Sequence, residues 1–377
     1  MKPLYLDYHS TTPCETQVID AMLPYFGADF GNPHAKAHAA GRAAHRVYEA
    51  ARADIGALIG ADAESITLTS GATEANNLAL FGVAAAASDR REIIISAIEH
   101  DSVENPARAL AKRGFTVKFL PVTPQGYVRL EDANAAISNK TLLISIIAAS
   151  HELGTAQPLA EIAALAKQHG ALFHTDATQA AGKIPLDVAA IGADLLSFSA
   201  HKIYGPLGIG ALYVRQKPPV ALAPQIFGGG QQRLRAGTIP LALAVGFGTA
   251  CRLVKNGIAE ESARLAPLRD RLFSTLESRG TGVIRHSRSD LPGLLNIRFP
   301  NIAAEELMLD CVNDLCLSSG AACASAARKP SGVLKAIGLD DAAIAGSLRI
   351  SLGHATTAAD IDFAAEKLAA AVLRHRR

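Results

Sequence analysis

The chain has little of what marks a secreted, membrane-bound or nucleic-acid-binding protein. Its five cysteines are few, odd in number and scattered, which suits reduced thiols better than a disulfide framework. Lys and Arg number 37 against 35 for Asp and Glu, so no charge excess points to nucleic acid or a membrane surface. The apolar stretches are broken by charges well short of a membrane span. Met1-Lys2-Pro3 runs directly into a predicted strand, so we expect no signal peptide. We therefore expect a cytoplasmic protein without direct nucleic-acid or membrane partners.

Signature motifs of several cofactor classes are also missing. The sequence has no G-x-G-x-x-G and no Walker motif, which removes support for dinucleotide and nucleoside triphosphate binding. His151 and Glu152 begin like a zinc-protease motif but lack its second histidine. His174 and Asp176 are ligand-type residues without a third partner nearby, so we expect no metal site.

What the chain does have is an alternation of apolar strand-like runs and alanine-rich helical runs. The strand-like runs are apolar throughout, which predicts burial on both faces and a mainly parallel sheet between helix layers. The predicted strands are 66–69, 93–96, 117–120, 142–146, 171–173 and 195–198. The predicted helices are 15–27, 37–60, 73–86, 102–113 and 159–169.

The pattern changes after about residue 252. A charged helix at 260–279 precedes shorter strands at 294–299 and 348–351. We therefore predict a large α/β domain over 15–252 and a smaller α+β domain formed by 1–14 and 253–377.

Two residues suggest one cofactor. Lys202 lies in a turn of small residues bounded by glycine and proline, where a lysine can form a Schiff base. Asp176 follows the strand-like run 171–173, and a carboxylate at a strand end suits a pyridinium nitrogen. Together they are the two anchors that pyridoxal 5'-phosphate (PLP) needs, a cofactor that acts as an electron sink. Taken singly, a surface lysine and a helix cap explain them equally well.

Two loops could hold a phosphate. The segment 69–74 follows a strand and opens a helix, so the first helical N–H groups, at Ala72 and Thr73, and the Thr73 hydroxyl can bind an anion. An ordinary helix N-cap explains the same pattern. Ser199 and His201 are further candidates from the second loop.

Three more residues are candidates for chemistry. His100 follows a strand, where an imidazole could stack on a flat cofactor and relay protons, or have no special role. Arg349 lies among apolar neighbours, and its fork suits an amino-acid carboxylate or an internal ion pair. Cys323 lies in the Gly/Ala/Ser-rich segment 318–331, whose small residues leave the thiol exposed and unlike a core cysteine.

Motifs along nearly the whole chain resemble the NifS/IscS-type group I cysteine desulfurases, which belong to the class V aminotransferase family. In family order they are 6–13, 31–33, 69–74, 99–100, 176–179, 199–206, 235–240 and 318–323. The resemblance implies the fold of the fold-type I PLP-dependent transferases, an α/β large domain with a mainly parallel seven-stranded sheet plus a smaller α+β domain. It also implies PLP as cofactor and a homodimer.

The resemblance assigns roles residue by residue. It implies that Lys202 carries the cofactor and removes the Cα proton, that Asp176 pairs with the pyridine nitrogen, and that His100 stacks on the ring and helps in proton transfer. Gln179 contacts the phenolic oxygen, as does the residue that usually stands at His151. The remaining implied roles are phosphate binding by Ala72, Thr73, Ser199, His201 and the other subunit's Thr238, and carboxylate binding by Arg349 and Asn32.

The implied reaction converts L-cysteine to L-alanine and leaves the sulfur on Cys323 as a persulfide. The sulfur would then pass to an acceptor protein of unknown identity, for instance in iron–sulfur cluster biosynthesis. The chain departs from the family pattern at His9-Ser10, at Ser150-His151 and in a short C-terminus without the tail that docks a scaffold. A selenocysteine lyase or an aminotransferase of the superfamily, which would not need Cys323, and a non-catalytic homologue remain alternatives.

Overall fold

A computed structural model describes residues 2–87, 89–229, 233–319 and 330–376. The strands in these residues are β1 (Leu4–Tyr5), β2 (Ile66–Thr69), β3 (Glu92–Ser96), β4 (Thr116–Leu120), β5 (Thr141–Ser145), β6 (Leu172–Asp176), β7 (Leu195–Ser199), β8 (Gly210–Val214), β9 (Ile284–Arg285), β10 (Leu294–Arg298), β11 (Leu315–Cys316), β12 (Ser318–Ser319) and β13 (Ser347–Ser351). The α-helices are α1 (Thr16–Met22), α2 (Ala39–Leu58), α3 (Ala72–Ala86), α4 (Asp101–Ala111), α5 (Leu130–Ala136), α6 (Leu159–Gln168), α7 (Val188–Ile191), α8 (Leu241–Ser278), α9 (Ala304–Asp310), α10 (Gly332–Ala336), α11 (Asp341–Ala345) and α12 (Ala358–His375). None of the helices in this part of the chain has both the length and the apolar character that crossing a membrane requires.

The largest sheet has seven strands in the order β2-β8-β7-β6-β5-β3-β4. The strands from β7 to β4 pair in parallel, whereas β8 runs antiparallel to both β7 and β2. This arrangement confirms the predicted fold class. The predicted strands of this sheet are each found within a few residues, and the seventh, β8, was not among them.

Both faces of this sheet are buried, as its apolar strands predict. On one face, side chains such as Ile94 and Phe173 pack in a cluster with α2, α6 and the beginning of α8. On the other face, Ile93 and Ile95 pack with α3 and α4. Because β8 runs antiparallel to both of its neighbours, β2 points in the same direction as β7. The carboxyl ends of β2, β3, β5, β6 and β7 therefore meet at one edge, where ligands bind in sheets of this kind.

A second group of elements surrounds its own apolar cluster. A four-stranded sheet of order β12-β13-β10-β9 packs with α9 and α12, and the predicted strands at 294–299 and 348–351 are β10 and β13. The N-terminal strand β1 pairs in parallel with β11, and Leu6 is fully buried in the same cluster. The first residues of the chain therefore pack against its C-terminal part.

Helix α8 begins earlier than the sequence predicted. The expected helix covered 260–279, but α8 is one continuous helix of 38 residues from Leu241 to Ser278. Its first part contains Gly246 and Gly248, and a Cβ on Gly248 would lie 2.9 Å from the Ala51 backbone of α2. Glycine therefore serves close packing of two helices here, against its low helix propensity. The predicted boundary at 252 lies inside α8, and the two-domain division stays a prediction.

Candidate active site

A cavity of about 410 Å³ lies at the edge where the strand ends meet. It is lined by residues from five loops, and most of the predicted site residues are among them. The structure brings these predicted residues together around it: Ala72, Thr73, His100, His151, Asp176, Gln179, Ser199, His201 and Lys202.

Lys202 ends a short 3-10 turn that follows β7. Its Nζ donates hydrogen bonds to the backbone oxygens of His9 and Ser10, at 2.6 and 2.5 Å. Thr12 fastens the same turn, because its Oγ1 donates to the His201 oxygen and accepts from the Tyr204 N–H. The N-terminal segment thus positions the lysine through the main-chain oxygens of His9 and Ser10.

Asp176 is the last residue of β6 and is almost fully buried. Its Oδ2 accepts from Asn76 Nδ2 at 2.8 Å, and its Oδ1 accepts from the Thr178 N–H at 2.9 Å. Asn76 itself is held by its donation to Ser102 Oγ at 2.8 Å. An oriented carboxylate that lines a cavity suits a cationic ring nitrogen, since a buried charge needs an opposite charge.

The phosphate-binding candidates line the same cavity. The N-terminus of α3 opens onto it, and β8 reaches the preceding loop because Gly210 has no Cβ, which would lie 2.7 Å from the Gly71 backbone. Within the described residues, the buried hydroxyls of Ser199 and Thr178 have no hydrogen-bond partner. A helix N-terminus with unsatisfied hydroxyl donors matches a phosphate group. The residues present therefore fit PLP.

Two histidines that line the cavity contact each other. The Nδ1 of His100 accepts from the Ser102 N–H, which caps α4, and its ring lies 5.3 Å from the His151 ring in an edge-on arrangement. Burial lowers the pKa of His151 well below 6.5, and the charges of His100, Arg349 and Lys202 act in the same direction. His151 is therefore neutral, and its buried Nδ1 has no partner in the described part of the chain.

The predicted carboxylate-binding residues do not line this cavity. Arg349, on β13, is buried and pairs through Nη2 with Asp7 Oδ1 at 2.9 Å. The Nη2 also donates to Ser318 Oγ, while its Nε has no partner among the described residues. Asn32 is exposed, and its Oδ1 accepts from the His34 N–H. Their roles in substrate binding stay predictions.

The two remaining predicted site residues are Thr238 and Cys323. Thr238 is exposed and is not part of the cavity of its own chain, although neighbouring Arg235 pairs with Glu74 of α3 at 2.9 Å. Cys323 lies outside the described residues. Across the residues that are described, no cluster of three or more His, Cys, Asp or Glu could hold a metal ion.

Sequence reasoning missed several residues that support the site. Lys183 donates from Nζ to the side-chain and main-chain oxygens of Gln179, both at 3.2 Å. Glu99 is buried behind Asp176, and burial raises its pKa to about 8. In the sequence, Lys183 is marked only by its position four residues after Gln179. That spacing does not predict a contact unless the conformation of the intervening turn is known.

Comparison with known proteins agrees with this site. The family model described as aminotransferase class-V matches residues 4–363. A relative named "Cysteine desulfurase IscS", from Rickettsia bellii (strain OSU 85-389), is 42% identical, with 99% of this chain and 92% of the relative covered.

Two solved structures are also similar. The structure titled "NIFS-LIKE PROTEIN" has a TM-score of 0.92 and 32% identity, with both chains covered to 100%. The structure titled "SspA in complex with cysteine" has a TM-score of 0.82 and 35% identity, with 93% of this chain and 99% of that one covered. The chain therefore belongs to the aminotransferase class-V family of PLP enzymes and, within it, to the cysteine desulfurases.

Proposed function

We propose that the protein converts L-cysteine to L-alanine and transfers the sulfur to Cys323 as a persulfide for delivery to an acceptor protein. The observation that carries the proposal is that Lys202 and the oriented carboxylate of Asp176 line one cavity with a helix N-terminus and a free buried hydroxyl. When bound, PLP withdraws the electron pair left at Cα after proton removal.

The residues around the cavity divide the work of holding the cofactor. Asp176, fixed by Asn76 and Thr178, would pair with the ring nitrogen. Thr73, Ser199 and His201 would hold the phosphate, with the α3 N–H groups beside them. Burial lowers the pKa of His201 to about 4, with Lys202 and Lys183 contributing, so that its imidazole is neutral toward the phosphate. His100 would cover the ring, and Gln179 would contact the phenolic oxygen.

The chain's own residues supply the remaining steps. The Lys202 amine takes the Cα proton of cysteine, and Arg349 would orient the substrate carboxylate through its fork. The Cys323 thiolate attacks the substrate sulfur, so that an S–S bond forms and the C–S bond breaks with its electron pair left on carbon. Protonation of that carbon, together with return of a proton from Lys202 to Cα, gives alanine, and the sulfur remains on Cys323 as a persulfide. The similar structure whose title names cysteine supports this substrate.

We also propose a cytoplasmic homodimer. Leu207 lines the mouth of the cavity and is 69% exposed, and Phe227 is 81% exposed, as expected of an apolar surface covered by another chain. A second copy there would bring its Thr238 to the phosphate, because Thr238 does not reach the cavity of its own chain.

The proposal is tested by treating the PLP-loaded protein with L-cysteine and measuring both alanine and the mass of tryptic peptides. We expect alanine together with one added sulfur atom on the peptide that contains Cys323. Cys323→Ser should bind cysteine but release almost no alanine, with Cys316→Ser as the matched control that retains activity. Full alanine release by Cys323→Ser would instead favour a selenocysteine lyase. Amino-group transfer from cysteine without alanine would favour an aminotransferase, and no turnover of cysteine by the parent would favour a non-catalytic homologue.

A further inference from the structure

The side chain of Gln179 is held from two sides before any ligand enters. Its Nε2 donates to the main-chain oxygen of His9 at 2.9 Å. Its Oε1 accepts from Lys183 Nζ at 3.2 Å, and Lys183 also donates to the Gln179 main-chain oxygen at the same distance. Gln179 is 5% exposed and lines the main cavity, so these contacts are made inside the protein.

These two contacts determine which position of the Gln179 amide is the NH₂ group and which is the oxygen. A main-chain oxygen can only accept, and an ammonium group can only donate. The His9 oxygen therefore requires the NH₂ end of Gln179, and Lys183 requires the oxygen end. With one N–H used by His9, the second N–H of Gln179 has no partner among the described residues and is available to a ligand in the cavity.

We propose that Lys183 is a positioning residue, which fixes the Gln179 amide so that its NH₂ group rather than its oxygen serves the phenolic oxygen of PLP. The inference rests on the proposed assignment of Gln179 to that oxygen. A reversed amide would place two acceptors against each other, which costs a hydrogen bond and adds repulsion. Lys183 thus acts on the cofactor through Gln179, without touching it.

The surroundings of Lys183 fit this role better than a role in salt bridging. No ion pair with an acidic side chain is found for Lys183 in the described residues. Burial lowers its pKa to about 7, and the charge of Lys202 acts in the same direction. On its other side Lys183 lines a small cavity of about 30 Å³ with His9, Lys202 and Glu261. The neutral amine keeps N–H donors for Gln179 but can also accept, so above that pKa the His9 oxygen, which only accepts, still sets the orientation of the amide.

The test uses the PLP-loaded protein and the pH at which its visible absorption band changes. Lys183→Met should raise that midpoint by about one pH unit, because the Gln179 NH₂ group is then no longer held in place to donate to the phenolic oxygen of PLP. Lys183→Arg, whose guanidinium also only donates, should restore the parental midpoint. Lys183→Leu is the second apolar variant should Lys183→Met fail to fold. An unchanged midpoint in the apolar variants would overturn the proposal.

A double-mutant cycle separates positioning from a direct effect of charge. In a Gln179→Leu background, Lys183→Met should cause no further change, because its effect passes through the missing amide. An undiminished shift in that background would overturn the proposal and show that Lys183 acts as a charge. If Gln179→Leu alone leaves the midpoint unchanged, the assignment of Gln179 is wrong and the proposal falls with it. The desulfurase proposal is judged separately, by alanine and persulfide formation.

Discussion

Replacing Glu99 by glutamine should stabilise the folded protein, by an amount that grows as the pH rises. The Glu99 side chain is 5% exposed, and its Oε1 accepts from Ser96 Oγ at 2.5 Å and from the Ile147 N–H at 2.8 Å. Burial raises the pKa of Glu99 to about 8, and the charge of Asp176 adds to this while the two hydrogen bonds oppose it. Glutamine keeps the acceptor oxygen and never ionises. Its NH₂ group would take the place of Oε2, which has no hydrogen-bond partner among the described residues, so the change of stability with pH is the decisive quantity.

The size of the effect follows from the two pKa values. In the unfolded chain the Glu99 carboxyl ionises near 4.5, whereas in the folded protein it holds its proton up to about pH 8. The folded state binds the extra proton, so the stability from Glu99 is full below about pH 4.5 and is lost as the pH rises to about 8. At about 1.4 kcal/mol per pH unit, the parent has lost about 3 kcal/mol near neutral pH. The glutamine variant has no such loss.

Urea unfolding of the two proteins without PLP, followed in parallel from about pH 5 to about pH 8, measures this difference. The unfolding free energies should differ by less than about 1 kcal/mol at the acid end and by about 3 kcal/mol near neutral pH. Glu131→Gln, at an exposed position of α5, is the matched control and should have a small effect. A difference between Glu99→Gln and the parent that stays constant with pH would refute the claim that Glu99 is protonated in the folded state.

Three further substitutions test the site. Lys202→Ala should reduce alanine formation at least about a thousandfold while PLP still binds without a covalent link, checked by absorbance and gel filtration. His151→Asn should move the cofactor absorbance maximum, but should leave its pH dependence near neutrality unchanged because His151 is already neutral there; spectra of both proteins across pH decide this. Thr238→Ala should weaken PLP binding about tenfold by fluorescence titration, and light scattering should show a dimer; a fully active monomer would contradict the shared site.

The sequence predicts the central sheet because the apolar pattern that marks each strand lies within a few consecutive residues. Strands apolar on both faces need helices on both sides, and the ends of such strands are where Asp176 and Lys202 were expected. β8 was missed because it follows a Gly/Pro-rich loop, and only the short 3-10 turn at Ala200–Lys202, not an α-helix, separates it from β7. The beginning of α8 was missed because Gly246 and Gly248 lower its helix propensity, and only the packed neighbours explain them.

The contacts that support the site residues could not be predicted from the sequence, for a different reason. The oxygens that hold Lys202 belong to the main chain of His9 and Ser10, and a main-chain oxygen has no signature in the residue type. The pairing of Arg349 with Asp7 joins opposite ends of the chain, which no spacing rule connects. Such contacts follow from the assembled fold and cannot be predicted from motifs.

The continuous helix α8 limits where this chain can be divided into separately expressed parts. It places Phe247 and Cys251 in one apolar cluster and Leu272 and Leu276 in another. A chain divided at residue 252 would leave the first piece with a helix of about 12 residues, a length that is marginal in water. The cut would also remove Val254 from the first cluster and Leu6 from the second. We expect neither half to be soluble when expressed alone, and split-protein reporters based on this fold should be divided elsewhere.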